Sequence, residues 1–308
     1  MMQYPLPLRP GARIGLIAPS GPIRVENGLD RSIDAVKAQG FQPVIGDSCG
    51  KVYGHLSGTD EIRANDINRM FADDSIEGIF CIRGGYGAPR ILHLLDFDLI
   101  KNNPKPFLGY SDVTALHVAF NQRCDLVTYH GPMPASDWIW PSFDPRSMVS
   151  LRRMLMQPIS GAIQNPSGFP LETIAKGKAK GRLVGGNVSL ISGLCGTPWA
   201  LDGTDCIVFL EDIGEKTYHL DHMLAQLRSN GLFDRCAGVI LGGFTDCNIE
   251  YEGYGLSIPE VVRDLILPSG KPILGGLQAG HCQPSLTLPL GAACELDATA
   301  QTIAIKQI

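Results

Sequence analysis

Several features are missing from this 308-residue chain. No unbroken run of Lys and Arg occurs. With 26 basic against 31 acidic residues the formal net charge is −5, so no electrostatic footprint for nucleic acid or an anionic membrane is present. No stretch approaches the roughly 18 apolar residues that cross a bilayer. The start, MMQYPLPLRPGARIGLIAPSG, is broken by proline and arginine, unlike a secretory leader. No two cysteines fall in C-x-x-C spacing. The nine stand at 49, 81, 124, 195, 206, 236, 247, 282 and 294, mostly inside apolar runs such as GIFCI and CIVFL. An odd number so placed argues against a disulfide framework and for a reduced, cytoplasmic setting. At 44% hydrophobic and 19% charged, the composition excludes a disordered chain. The length is about two domains' worth.

Short apolar runs alternate with helical patterns in the first half. RIGLIAP (13–19), FQPVIG (41–46), GIFCIRGGYG (78–87), PFLGYSD (106–112) and LVTYHG (126–131) read as strands. Between them, Leu29, Ile33 and Val36 recur at helical spacing, with Gly40 as a stop. Thr59 is placed to cap a helix carrying Ile62, Ile67, Met70 and Phe71, and Val113, Leu116, His117 and Phe120 mark another helix face. This alternation predicts a mostly parallel sheet flanked by helices, an α/β domain over residues 1–140. The rhythm breaks over 141–178, which reads as a linker with a short helix near 148–156. KGKAKGR (176–182) then reads as a solvated strand edge. Residues 179–308 read as a smaller, β-rich domain, with strands at CIVFLED, AGVILGGF and PILGG. Ser257 and Glu260 have capping-box spacing, and SLTLPLGAACEL and TIAIKQI are expected to close as an antiparallel hairpin.

Three polar residues follow apolar strands, where ligands bind in open parallel sheets. Ser111, in Gly109-Tyr110-Ser111-Asp112, sits on a strand-to-helix turn, although Val113 replaces the second glycine of G-x-S-x-G. Either Ser111 or Asp112 could instead simply cap the next helix. Glu211 follows CIVFL, beside Asp212 and Glu215, and His281 follows PILGGLQAG. Serine, acid and histidine are the three types that nucleophilic catalysis combines. The Gly84-Gly85-Tyr86-Gly87 loop matches no phosphate-binding pattern and suits an oxyanion hole or a substrate cradle better. Metal chemistry is not expected: His219-x-x-His222 lacks the zincin spacing, and adjacent His281 and Cys282 chelate poorly.

Motifs along nearly the whole chain carry a family resemblance. They are IAPSGP (17–22), GHLSGTDEIRANDINRMF (54–71), IRGGYGAPR (82–90), LGYSDVTAL (108–116), HGPM (130–133), GRLVGGNVSLISGLCGTPW (181–199), FLEDIGEKTYHLDHMLAQL (209–227), GVILGGFTDC (238–247) and GLQAGH (276–281). The chain resembles the serine L,D-carboxypeptidases of the murein tetrapeptide carboxypeptidase family, which also holds the microcin C resistance peptidases. The resemblance implies a catalytic triad of Ser111, Glu211 and His281, with an oxyanion hole from the backbone N–H groups of Gly85 and Asp112. It implies no metal or cofactor, a homodimer, and a murein-derived tetrapeptide ending in D-alanine as substrate. Arg83 and Arg90, flanking the glycine loop, are candidates for gripping the free carboxylate, as ion pairs at the surface would also explain. Tyr86 is a further substrate-binding candidate. The aromatics Trp138, Trp140 and Phe143 would shape the pocket or pack between domains. The competing readings are a detoxifying peptidase acting on peptidyl or aminoacyl nucleotide analogues, and a non-catalytic binder of peptidoglycan fragments.

Overall fold

The computed structural model describes residues 2–248 and 255–306. The chain divides into two compact units, Met1–Pro158 with Thr287–Pro289, and Ile159–Leu286 with Leu290–Ile308. The first runs β1 (Arg13–Ile17), α1 (Gly28–Ala38), β2 (Gln42–Ile45), α2 (Asp60–Ala72), β3 (Gly78–Cys81), α3 (Ala88–Ile91), α4 (Phe97–Asn102), β4 (Phe107–Gly109), α5 (Thr114–Arg123), β5 (Thr128–His130) and α6 (Pro145–Met156). The second runs β6 (Gly161–Ile163), β7 (Glu172–Ala175), β8 (Lys178–Asn187), α7 (Val188–Gly193), β9 (Ile207–Ile213), α8 (Thr217–Ser229), α9 (Leu232–Arg235), β10 (Gly238–Thr245), α10 (Ile258–Leu265) and β11 (Ile273–Gly275). β12 (Leu288–Leu290) returns to the first unit, and β13 (Ala293–Asp297) and β14 (Thr302–Ile305) end the second.

The first sheet has the order β12-β5-β4-β3-β1-β2, and its β5-β4-β3-β1-β2 pairings are all parallel. β3 and β4 are wholly buried, as parallel strands covered on both faces must be. The chain reverses direction of travel between β1 and β3, so the loops after these strands, 18–22 and 82–87, frame the crevice where such sheets bind ligands. Ser111 follows the next strand, β4. The second sheet is mixed, β6-β14-β13-β8-β9-β10-β11-β7, with a parallel centre, β8-β9-β10-β11, and antiparallel flanks. Helices accompany both sheets, so the molecule is of the mixed α/β class the strand and helix alternation predicted.

Two expectations need correction, and a third gains detail. Residues 141–178 are not a free linker: α6 packs Leu151, Met154 and Leu155 into the first unit, while β6 and β7 are the two edge strands of the second sheet. KGKAKGR opens β8, and its strand residues, 178–182, pair along one side with β13, while β9 joins β8 only from Leu183 onward. The stretch keeps its lysines because one face is solvated; Lys178 and Lys180 pair across to Asp297 and Glu295 on β13 at 2.9 and 2.7 Å. SLTLPLGAACEL is not one strand. Leu288–Leu290 joins the first sheet and Ala293–Asp297 the second. β13 does pair with β14, and the last two residues of TIAIKQI lie outside the described residues. No described helix is long and apolar enough to cross a membrane.

Candidate active site

Ser111 stands on a strained turn. Gly109 ends β4, Tyr110 is extended, and Ser111 itself has φ 65°, a left-handed conformation that a non-glycine residue adopts only when its surroundings force it. His117 Nε2 bonds the Gly109 carbonyl at 2.8 Å. Tyr110 donates its hydroxyl to Asp137 Oδ1 at 3.0 Å, and Asp137 Oδ2 accepts from the Met133 amide at 2.8 Å. The two residues that lead into the serine are thus both held. Val113 packs back against the same turn: its Cγ1 would lie 2.7 Å from a Cβ at position 109, so only glycine fits at 109.

The glycine loop lies directly against this turn. A Cβ at Gly84 would sit 2.9 Å from Ser111 Cβ and 3.2 Å from its Oγ, so only glycine fits there. Gly21 N donates to Gly84 O at 3.2 Å, joining the loops after β1 and β3. Gly85 is exposed with φ 121°. The Asp112 side chain is buried, and its Oδ2 accepts from Ala88 N at 2.7 Å. Burial raises its carboxyl, against the opposing pull of Ser20, the Ala88 and Gly87 amides and the Arg63 charge.

Arg83 is half-buried and donates to two backbone carbonyls, Gly84 O at 3.1 Å and Pro22 O at 2.8 Å, tying the same two loops. Arg90 is exposed and grips Asp60 with both ends of its fork, at 2.9 and 3.1 Å. Tyr86 is exposed, its ring centroid 5.2 Å from that of His55. Trp138 is buried with its indole N–H on Pro132 O, and Trp140 lies exposed under Arg31, 5.5 Å from ring to guanidinium.

In the second unit, Glu211 and His281 come together. Glu211 is completely buried on β9, in register with Asn187 of β8. Its Oε2 accepts from His281 N at 3.1 Å and meets His281 Nδ1 at 2.7 Å. An Nδ1–H directed at this carboxylate fixes the tautomer and turns the basic nitrogen, Nε2, outward from the pair. Gly280 permits the approach, since a Cβ there would stand 2.4 Å from Oε2. Asp212 plays a different part: it accepts from Asn187 Nδ2 at 2.9 Å and from Ser189 N and Oγ at 2.9 and 2.8 Å, fixing the start of α7.

Residues 14–131 match the LD-carboxypeptidase N-terminal domain and residues 180–296 its C-terminal domain. A probable murein peptide carboxypeptidase of Bacillus subtilis is 36% identical over 302 residues, covering 98% of this chain and 94% of that protein. The chain belongs to the LD-carboxypeptidase family. It is a serine-type carboxypeptidase, a peptide hydrolase. Solved structures of the family superpose over nearly the full length. MccF, a microcin C7 self-immunity protein, in complex with glutamyl sulfamoyl guanosine has a TM-score of 0.90 at 26% identity, over 99% of this chain and 98% of that one. The muramoyltetrapeptide carboxypeptidase of Oxalobacter formigenes has a TM-score of 0.82 at 27% identity, over 96% and 98%.

Three other reactive side chains lie in the second unit of the carboxypeptidase. Burial pushes the Cys282 thiol up to about 12, with Glu211 adding to the effect, so this neighbour of His281 is not a thiolate nucleophile near neutrality. His219 bonds Glu215 at 3.0 Å on α8, and His222 is exposed. Among the described residues no group of three or more His, Cys, Asp or Glu is arranged to hold a metal ion.

Proposed function

We propose that the enzyme removes the terminal D-alanine of murein-derived tetrapeptides through Ser111, His281 and Glu211. Ser111 Oγ attacks the carbonyl between the L-centre of the diamino acid and D-alanine. His281 Nε2 takes the serine proton and returns it to the departing amine. Glu211 holds the imidazole and stabilises its charged form. The amides of Gly85 and Asp112 receive the oxyanion, a contribution worth roughly 3–4 kcal/mol per donor in comparable enzymes. Water, activated by His281, then releases the shortened peptide. No metal or cofactor takes part.

The observation that carries this reading is the 2.7 Å contact between His281 Nδ1 and Glu211 Oε2, which makes Nε2 a general base. The strained serine turn supports it, and the likeness to the Bacillus subtilis protein supports the substrate. A cytoplasmic location is part of the proposal, in keeping with nine free cysteines, as is a homodimer on the family resemblance.

The test is a mass-spectrometric digest of L-Ala-γ-D-Glu-meso-diaminopimelate-D-Ala with chelator present, beside Ser111→Ala. Loss of one D-alanine by the wild type alone is the expected result. Activity retained in Ser111→Ala would sink the nucleophile assignment. The likeness to MccF, whose ligand is a glutamyl sulfamoyl nucleoside, favours a second reading, cleavage of aminoacyl or peptidyl nucleotide analogues by the same three residues. Turnover of an aminoacyl sulfamoyl adenosine with no turnover of the tetrapeptide would decide for it.

A further inference from the structure

Arg63 is the largest fully buried side chain among the described residues. It projects from α2, with 0% of its side chain exposed. Its Nη1 donates to Gly87 O at 2.9 Å and also to Pro19 O, and its Nη2 bonds Asp60 Oδ1. Asp112 Oδ2 meanwhile accepts from Ala88 N. Gly87 O and Ala88 N belong to one peptide group. A buried cation therefore holds the oxygen of that peptide and a buried anion holds its N–H. The other end of the same loop, Gly84, lies against Ser111, and Asp112 is the next residue after Ser111 in the chain. The loop is fixed at both ends to the turn that bears the nucleophile.

We infer that Arg63 and Asp112 form a clamp on the Gly87–Ala88 peptide that sets the position of the glycine loop relative to Ser111. Both are positioning residues in this role, since neither side chain needs to touch the substrate. The inference rests on the proposed serine mechanism. A charge on each side of the peptide resists rotation of its plane more strongly than neutral hydrogen bonds would, because charge-assisted bonds are shorter and stronger. The loop amides then need not reorganise when an oxyanion forms, which is the condition under which such donors accelerate a reaction. Arg90, gripping Asp60 from the surface, keeps the inner guanidinium in line.

The readout is the rate at which a fluorophosphonate labels Ser111, followed by intact mass, together with kcat and KM on the substrate turned over. The fluorophosphonate needs no peptide recognition, and its phosphonyl oxygen takes the oxyanion's place. Arg63→Ala and Asp112→Ala should each lower kcat and the labelling rate by about 10–100-fold with KM within about twofold. Added guanidinium should restore labelling of Arg63→Ala, and Asp112→Asn, whose amide oxygen still accepts from Ala88 N but carries no charge, should recover part of the Asp112→Ala loss. Wild-type labelling rates in both alanine variants, or a loss that neither guanidinium nor Asp112→Asn repairs, would overturn the clamp. If the wild type itself is not labelled, the serine mechanism falls instead. Circular dichroism on each variant confirms that the compared proteins are folded.

Discussion

His117 takes no part in the proposed chemistry, yet burial holds its imidazole at about 4, below its ordinary 6.5. In the unfolded chain this histidine gains a proton as pH falls through 6.5, whereas in the fold it stays neutral until about 4. Stability is therefore lost as pH falls across that window. Between pH 7 and 4.5 urea unfolding should show His117→Gln, which keeps a donor for Gly109 O, losing about 2 kcal/mol less than the wild type. An equal loss in both proteins would mean that another group governs the acid limb. Ser111, Glu211 and His281 stand out in the sequence because each is a reactive residue type just beyond an apolar run, and of these the structure pairs Glu211 with His281. Arg63 was not, because an arginine in a helix ordinarily reads as solvated. Its spacing did contain a signal: Arg63, Ile67, Met70 and Phe71 share one helix face, and all four are buried.

Helix ends were easier to read than strand neighbours. Thr59 caps α2 by accepting from Ile62 N, and Ser257 and Glu260 form both halves of the capping box on α10, as their spacing predicts. These signals are local, so one sequence suffices. Ser257→Ala should cost about 1 kcal/mol, seen as a fall of roughly 2–4 °C in Tm in a thermal melt. No change would mean that burial of Val261 and Val262 alone keeps α10 in place. Strand order is not local. The lysines of β8 suggest a solvated edge but not which strand they face: their partners Asp297 and Glu295 lie more than a hundred residues further along. α5 shows the same limit. Its apolar spacing predicts one buried face, but every residue from Thr114 to Asn121 is buried, because the sheet and neighbouring helices enclose it.

At the scale of the whole molecule, the chain forms two compact units that meet in sequence at Pro158 and Ile159. Proline and polar residues over 141–178 suggest a linker, but the segment supplies a helix to one unit and two strands to the other. The three-residue return at 287–289 left no compositional trace. Thr287 N donates to Ser150 Oγ at 3.0 Å, and β12 covers the β5 edge. Residues 1–158 expressed alone should associate in size-exclusion chromatography, since they expose a buried-type strand at an edge. Appending 284–292 through a flexible linker should restore a monomer with a cooperative melt. A monomeric, cooperatively melting 1–158 would show that β12 is dispensable.

The same return sets an order in time. A nascent chain leaves the ribosome from its N-terminus at about 5–20 residues per second. The first unit's own strands emerge early, but the strand that covers β5 is made almost last. For on the order of ten seconds at that pace, β5 must wait beside a half-made second unit. Chaperones would meet the protein in that interval, when crowding by other nascent copies leaves it most exposed to mispairing.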